Sequence, residues 1–176
     1  MRPDQPPEGR IRHWEITAPR NRRLAPELYA MAGQACFFTV RCWPDSAPFA
    51  DDTLAAVAVE CLLGQQTKSS CQVDVYCVMP DHVHLVVTPL CDGASSLTYV
   101  DRFKGWCGRM LRLAGWRGEV WQARSYDHLV RRDEDLAEIA AYILANPVRK
   151  GLCDDPGDYR WSGVPEGVPY VAPPQV

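Results

Sequence analysis

The chain has 176 residues and 47% of them are hydrophobic, which is enough for one domain with a buried core. No run approaches the roughly 18 apolar residues of a membrane helix, and the N-terminal sequence lacks the apolar stretch of a secretory signal. These features argue against a membrane protein, and we expect a cytoplasmic one. The net charge of −3 argues mildly against nucleic acid as a partner.

The distribution of charge changes that expectation. Residues 101–132 hold eight basic and three acidic side chains, and residues 1–23 hold six arginines and three acids. The planar guanidinium of arginine suits phosphate, and local basic surface matters more for binding than total charge does. A nucleic-acid partner therefore stays open, beside the alternative of a solvated helix face with scattered charge.

Eight cysteines are present, and without an export signal we expect reduced thiols. No pair has the CxxC spacing of a zinc knuckle. The sequence favours small buried apolar side chains over a redox or metal role for these residues. They are Cys36, Cys42, Cys61, Cys71, Cys77, Cys91, Cys107 and Cys153.

The first part of the chain predicts an arm, a strand and a helix. Residues 1–35 are rich in Pro and Arg and are expected to lie loosely on the surface. FFTVR, residues 37–41, predicts a strand. A helix is predicted from Asp51 or Asp52 to about Leu63, followed by a polar turn over residues 64–70. The helix prediction depends on an apolar stripe at helical spacing: Leu54, Val57, Ala58 and Cys61.

A strand, a tight turn and a second strand are predicted over residues 73–87, which end in MPDHVHLVV. Because alternate side chains of a strand share a face, His82 and His84 project together and Val83, Leu85 and Val87 project the other way into a core. Two of the four histidines thus stand side by side on a rigid element, as in half of a metal site. The alternative is a structural, hydrogen-bonded pair.

The next elements complete the predicted fold. A helix is expected from Ser95 or Ser96 to about Ala114, and a strand from Tyr126 to Arg131. The order strand, helix, strand, strand, helix, strand is a split βαββαβ pattern. It predicts an α+β, ferredoxin-like fold, in which an antiparallel sheet carries helices on one face and gains an added C-terminal helix.

The added helix is predicted over residues 133–146, with acidic residues in its first turn and Pro147 ending it near Asn146. Tyr142 and Asn146 are four residues apart and share a face, with Glu138 one turn earlier. A phenol and an amide oxygen are thus offered together. A packed tyrosine and an Asn-Pro helix stop are the alternatives. The apolar stripe beside that face is Leu136, Ile139, Ala140 and Ile143.

Three motifs in this order resemble the single-tyrosine HUH transposases, in particular the REP-associated tyrosine transposases. They are MPDHVHLVV at residues 79–87, VWQARSYDHLVR at residues 120–131 and YILANPVRKGL at residues 142–152. The resemblance covers roughly residues 36–162, which predicts a transposase-like domain between an N-terminal arm, 1–35, and a tail, 163–176. FFTVRCWPDSAPFADD, which includes the first strand, is only loosely like the family pattern.

The resemblance implies that His82, His84 and Asn146 are metal ligands and that Tyr142 is the catalytic tyrosine. It further implies DNA transposition and recombination on single-stranded DNA with hairpins formed by repetitive extragenic palindromes. Such an enzyme cuts by forming a 5′-phosphotyrosine and leaving a free 3′-OH. Mg²⁺ or Mn²⁺ is the favoured ion, because phosphate and amide oxygens dominate its surroundings once substrate is bound. A monomer is expected over a dimer, in the bacterial cytoplasm at the nucleoid and without a membrane partner.

The candidate DNA contacts are basic side chains near the second and third motifs and tryptophans that could stack on bases. Trp106, Trp116 and Trp121 are those tryptophans, although indole rings are more often core. Two other functions stay open, a non-catalytic module that binds hairpin DNA and a metal hydrolase of small phosphoesters. The basic candidates are Lys104, Arg109, Arg124, Arg131 and Arg132.

Overall fold

A five-stranded antiparallel sheet organises the protein in this computed structural model, which describes residues 24–131 and 136–168. The strand order is β4-β1-β3-β2-β5. An antiparallel sheet with packed helices confirms the predicted α+β class. The strands are β1 (Cys36–Arg41), β2 (Cys71–Met79), β3 (His82–Pro89), β4 (Tyr126–Leu129) and β5 (Ser162–Gly163).

Five α-helices lie in the described ranges, and the two long ones before β4 begin at capped residues. The Asp51 carboxylate accepts hydrogen bonds from the backbone N–H groups of Thr53 and Leu54, at 2.8 and 3.1 Å. Ser95 accepts one from Thr98 at 3.3 Å. Each cap satisfies donors that the first helical turn leaves unpaired. The helices are α1 (Asp52–Gly64), α2 (Gln66–Ser69), α3 (Ser96–Leu113), α4 (Leu136–Leu144) and α5 (Asn146–Arg149).

Both faces of strand β3 are covered, which makes it the centre of the molecule. Val83, Leu85 and Val87 are buried in the cluster formed with α1 and α3. On the opposite face Val86 packs in a second cluster with α4, through the helix residues Ile139, Ala140 and Ile143. Burial of side chains of this size contributes about 1.5–3 kcal/mol each. His82 and His84 point to the α4 face, because their neighbours Val83 and Leu85 occupy the other one.

The chain around Pro147 departs from the single helix that the sequence predicts. Helix α4 ends at Leu144, and α5 begins at Asn146 with Pro147 in its first turn. Proline suits that position because its missing N–H is not needed there. The predicted acidic first turn, residues 133–135, lies outside the described residues. Elsewhere α2 occupies part of the predicted turn at residues 64–70, and β4 ends at Leu129 rather than at Arg131.

The described end of the predicted arm is built into the domain. Tyr29 is fully buried, its hydroxyl donates a hydrogen bond to Asp127 and its carbonyl accepts one from Ser96 at 3.3 Å. A short 3₁₀ turn, Pro26–Tyr29, presents this side chain to the core. Residues 24–35 therefore do not lie loosely on the surface, and residues 1–23 lie outside the described part of the chain.

The C-terminal region packs against the sheet edge through β5. Tyr159 donates a hydrogen bond to the carbonyl of Val78 at 2.8 Å, and the Trp161 indole donates one to Asp52 at 3.1 Å. Tyr159 packs on the face on which α4 lies, and Trp161 packs on the opposite face with α1. Of the predicted tail, residues 169–176 are not among those described. None of the described helices has the length and apolar character needed to cross a membrane.

All eight cysteines lie in the described ranges as free thiols, and six of them are buried. Burial raises the pKa of Cys42 and of Cys77 to about 12. A thiol that keeps its proton is a weak nucleophile and a weak metal ligand. The six buried cysteines are core side chains, as the sequence favours, whereas Cys91 is exposed and Cys153 is partly buried.

Candidate active site

Strand β3 presents two imidazoles that converge on one point. The Nε2 atoms of His82 and His84 are 3.0 Å apart, and the ring centroids are 4.5 Å apart with an interplanar angle of 79°. The Phe37 ring stacks on His84 at 5.5 Å, which limits how that imidazole can turn. The two side chains therefore offer a preformed pair of nitrogens.

The outer nitrogen of each ring is held by a neighbour. His82 Nδ1 lies 2.6 Å from the Asp81 carboxylate, and His84 Nδ1 lies 2.9 Å from the Thr39 hydroxyl. Thr39 reaches His84 because the two residues are paired across β1 and β3. Partners of this kind fix the orientation of a metal-binding imidazole and direct its Nε2 at the ion.

The charge state of His84 follows from its surroundings. Burial is the largest cause that holds the pKa of His84 well below its ordinary value of 6.5, and electrostatic interactions with His82, Arg149 and Arg41 lower it further. The hydrogen bond from His82 lowers the pKa of Asp81. A neutral imidazole beside a carboxylate-oriented one is the form that binds a cation.

Helix α4 brings Tyr142 to the same place. Its ring centroid lies 6.4 Å from that of His84. The Arg149 guanidinium lies 3.9 Å from the centroid of the Tyr142 ring and donates a hydrogen bond to the Tyr142 carbonyl at 2.9 Å. Arg149 lies in α5, which begins two residues after the end of α4. The phenol is thus held between an imidazole and a guanidinium.

Asn146 is 4% exposed, and its Nδ2 atom has no hydrogen-bond partner among the described residues. A buried polar atom without a partner costs about 1–3 kcal/mol, so native proteins rarely keep one without a reason. The two ends of an amide can be exchanged by rotation about χ2. Asn146 can therefore turn either a donor or an acceptor towards whatever occupies the cleft.

These four predicted residues line one cleft of about 1000 Å³. His82 and His84 come from the second element of a hairpin, and Tyr142 and Asn146 come from a region more than fifty residues later. The fold brings together what the separate motifs predict. The other side chains in the lining include Thr39, Arg41, Asp81, Gln122, Arg124, Ser125, Tyr126, Arg149 and Lys150.

The donor set fits a divalent cation with three protein ligands. Two nitrogens at about 2.1 Å from one octahedral ion lie about 3.0 Å apart, and the two Nε2 atoms show that separation. The described residues contain no group of three or more His, Cys, Asp or Glu side chains able to hold a metal ion. Asn146 lines the same cleft and offers an amide oxygen as a third donor, and further positions would stay open for phosphate oxygens.

The basic residues predicted to bind DNA are dispersed. Arg124 lines the cleft. The ammonium of Lys104 instead donates hydrogen bonds to the carbonyls of Gln122 and Ala123, at 2.8 and 3.0 Å, so it supports the cleft wall from behind. Arg109 lies near Trp106 on α3, 5.9 Å from its ring centroid. Arg131 is exposed beyond β4, and Arg132 lies outside the described residues.

Two of the three tryptophans suggested as base-stacking platforms are partly buried core residues. Trp121 packs between Phe49 and Phe103 at centroid distances of 5.5 and 5.6 Å, and its indole donates to the Lys104 carbonyl at 3.0 Å. Trp116 has a buried indole nitrogen. Trp106 is 44% exposed, on the helix layer opposite the histidine pair.

Sequence reasoning missed Thr39, Asp81 and Arg149. A signal existed for two of them, since Asp81 immediately precedes His82 and Arg149 follows Tyr142 by seven residues, or two helical turns. Thr39 gave no such signal, because its proximity to His84 depends on the register between two strands.

Comparison with known proteins finds a fold match and a partial sequence match. The fold is that of a solved DNA transposase: a structure described as the REP-associated tyrosine transposase bound to a REP hairpin superposes with a TM-score of 0.65 and 22% identity, covering 82% of each chain. In sequence, the chain is 29% identical over 96 residues to a Haemophilus influenzae protein provisionally named a REP-associated tyrosine transposase. The predicted resemblance to REP-associated tyrosine transposases is thereby confirmed.

The sequence match is partial. It includes 49% of this chain and 54% of the relative, so the chain spans about half the length of the curated relative that it matches. No protein-family model matches the chain.

Proposed function

We propose that this protein is a metal-dependent endonuclease and strand transferase that acts on single-stranded DNA beside a hairpin. The carrying observation is that Tyr142 and Asn146 line the same cleft as the His82 and His84 imidazoles. The fold match to a transposase described as bound to a REP hairpin supports this substrate class. In this proposal the nucleophile, the cation and a DNA strand would share one concave surface.

A divalent ion, Mg²⁺ or Mn²⁺, held by His82, His84 and Asn146, would act as a Lewis acid for the charge that develops on the non-bridging phosphate oxygens. The protein supplies the orientation. Asp81 and Thr39 fix the two rings from outside, and Asn146 is buried beside them with an amide nitrogen that has no partner among the described residues. Ligands that are held before the ion arrives need no reorganisation when the substrate binds.

Tyr142 is the proposed nucleophile. Its oxygen attacks phosphorus and forms a phosphotyrosine, the bond from phosphorus to the 3′ oxygen breaks, and that oxygen leaves as a 3′-OH after it gains a proton. The phenol loses one proton in the same step, so protons balance. One phosphoester bond replaces another, and rejoining therefore requires no ATP. Arg149 holds the ring in place and adds positive charge beside the phosphate.

Each chain is proposed to act as a monomer, with its tyrosine working in its own site. The basis is that Tyr142 lies 6.4 Å from His84 of the same chain, measured between ring centroids. A shared site would require the tyrosine helix to reach a second molecule. The buried face of α4, which packs on the sheet through Ile139 and Ile143, ties that helix to its own sheet.

The test is a denaturing gel of protein with labelled single-stranded hairpin DNA and Mn²⁺. We expect a covalent protein–DNA adduct with the wild type and none with Tyr142→Phe, while hairpin binding remains. Tyr126→Phe is the matched control, since Tyr126 lines the same cleft and should keep most of the adduct. If the adduct is lost in Tyr126→Phe and survives in Tyr142→Phe, the nucleophile is Tyr126 and the proposed assignment is wrong.

The same experiment separates the two alternative functions. Hairpin binding without any adduct at any metal concentration would identify a non-catalytic binding module. Metal-dependent turnover of a small phosphoester that survives Tyr142→Phe would identify a hydrolase that uses water. Either result would overturn the proposal.

A further inference from the structure

Trp43 is an exposed aromatic side chain beside the cleft that the chemistry above does not use. It is 50% exposed, and within residues 24–131 and 136–168 no ring or cation stacks on its indole. Trp106, similarly exposed at 44%, lies near the cations of Lys68 and Arg109, at 6.0 and 5.9 Å. Single exposed apolar residues are common, so exposure alone does not identify Trp43 as a binding residue. Its surroundings must do so.

The backbone that carries Trp43 is fixed. Its N–H donates to the carbonyl of Val120 at 2.8 Å, and its carbonyl accepts from the hydroxyl of Ser46 at 2.8 Å. The preceding residue, Cys42, donates to the Asp81 carbonyl at 2.8 Å and accepts from the Gln122 amide at 2.9 Å. The indole is therefore presented from an ordered loop, which lowers the entropic cost of stacking a ligand on it.

Trp43 borders a depression of about 490 Å³ that adjoins the active-site cleft. Arg41, Asp81 and Gln122 line both the depression and the cleft. A strand of DNA with its phosphate at the histidine pair can therefore continue into the depression without leaving the surface. The volume lies in the range of small-molecule sites.

The chemistry of the lining selects the occupant. Asp45 and Asp81 both border the depression and would repel a phosphate placed within it. A neutral base meets no such repulsion, can hydrogen-bond to acidic and amide side chains, and stacks on an indole whatever its sequence. Arg41 stands at the boundary with the cleft, where it can contact the backbone phosphate that joins the two.

The position of the depression relative to Tyr142 indicates which side of the scissile phosphate its nucleotide belongs to. Along β1 and β3, Thr39 is opposite His84 and Arg41 is opposite His82, with Trp43 two residues further on. Tyr142 lies by His84, at the other end of this row. Because nucleophile and leaving oxygen lie on opposite sides of phosphorus, the nucleotide that keeps the 3′-OH extends towards Trp43.

The geometry points to a nucleotide subsite at Trp43 that stacks one unpaired base of the DNA strand on the side of the scissile phosphate that carries the leaving 3′ oxygen. This inference rests on the proposed function for the identity of the strand. It adds a base-binding position that is separate from the ion, the nucleophile and the hairpin.

The test measures binding without cleavage. A hairpin oligonucleotide with an unpaired extension is titrated without metal, by fluorescence polarisation, and each extension base is then replaced in turn by an abasic site. We expect Trp43→Ala to weaken binding of the intact oligonucleotide by about 5- to 150-fold, the range of stacking on one base. One abasic position should weaken the wild type to the same degree and have no further effect on Trp43→Ala.

Two variants control for folding and for general loss of an indole. Trp43→Phe keeps an aromatic face and should retain most of the affinity. Trp106→Ala removes an equally exposed indole from α3 and should show no dependence on any single abasic position. Thermal melting of Trp43→Ala should match the wild type, since the indole is half exposed.

The outcomes keep this inference distinct from the proposed function. If every abasic position weakens Trp43→Ala as much as the wild type, the subsite is refuted, even when the wild type still forms the covalent adduct. If the coupled position maps to the strand that stays attached to Tyr142, the assigned side is wrong. If Trp43 couples to one base but no adduct forms with metal, the nuclease proposal fails and the base subsite stands.

Discussion

The surroundings of His84 disfavour the protonated form of its imidazole. It is nearly fully buried, and the positive charges of Arg149 and Arg41 are close enough to add to the fall in its pKa. In the unfolded chain the same side chain titrates near its ordinary value of 6.5. The folded state therefore binds fewer protons than the unfolded state at mildly acidic pH.

The free energy of unfolding should therefore fall as the solution becomes more acidic. Stability from a neutral His84 is complete above about pH 6.5 and is lost as pH falls below it, by at most about 1.4 kcal/mol per pH unit. Urea denaturation of the metal-free protein between about pH 8 and pH 5 should show this loss. His84→Gln should give a flatter profile over the same interval. Parallel profiles for the two proteins would contradict the assignment.

Arg149 is a positioning residue at the same scale. Its guanidinium covers the Tyr142 ring and bonds the Tyr142 carbonyl, so Arg149→Ala should lower the rate of adduct formation roughly 10- to 100-fold, as small misplacements of a reacting group do. Arg149→Lys should recover little, because lysine lacks the planar fork. Single-turnover gels at saturating DNA provide the measurement.

Lys150→Ala is the matched control for Arg149, since Lys150 is an adjacent exposed cation that also lines the cleft. A general loss of positive charge would affect both variants alike. We expect a much smaller effect on the rate for Lys150→Ala. Equal losses would show that Arg149 contributes charge and not position.

At the scale of elements, the break between α4 and α5 determines where Asn146 and Arg149 lie. The backbone N–H of Ala145 donates to the Ala141 carbonyl at 2.9 Å before Pro147, and that of Arg149 donates to the Ala145 carbonyl at 3.1 Å across it. Pro147 has no N–H and removes one donor from this helical path. Arg149 follows the break and contacts the ring and the carbonyl of Tyr142.

Pro147→Ala should therefore make the helix more regular and lower the rate of adduct formation. Alanine permits the missing backbone bond and favours a straighter helix, so the melting temperature should not fall. The rate of adduct formation should fall about tenfold, because a continuous helix would shift Asn146 and Arg149 relative to Tyr142. A variant with wild-type rate and wild-type metal affinity would show that the break has no role in the site.

The elements also show what could be predicted. The alternation in MPDHVHLVV was sufficient to place His82 and His84 on one face, and the stripe of α4 was sufficient to place Tyr142 beside it, because both are local properties of one element. The contact of Thr39 with His84 depends on strand register, and the burial of Tyr29 depends on tertiary packing. Neither can be read from local periodicity.

At the scale of the whole molecule, all four proposed site residues line one cleft of a single chain, and this arrangement makes a prediction about mixtures of variants. Tyr142→Phe lacks the proposed nucleophile and His84→Ala lacks a proposed metal ligand. If each tyrosine serves its own cleft, a mixture of the two variants should form no more adduct than either alone. Recovery towards one quarter or one half of the wild-type yield would instead demonstrate sites shared between subunits. Size-exclusion chromatography of the mixture with hairpin DNA is the accompanying check.

The two halves of the site are anchored with different strength. β3 pairs with a strand on each side and is covered on both faces, whereas α4 touches the rest of the domain chiefly through Ile139, Ala140 and Ile143. Amide hydrogens of β3 should exchange only when the entire domain opens, and those of α4 should exchange earlier. On heating, the proposed DNA cleavage activity should therefore be lost while the His82–His84 pair is still in place.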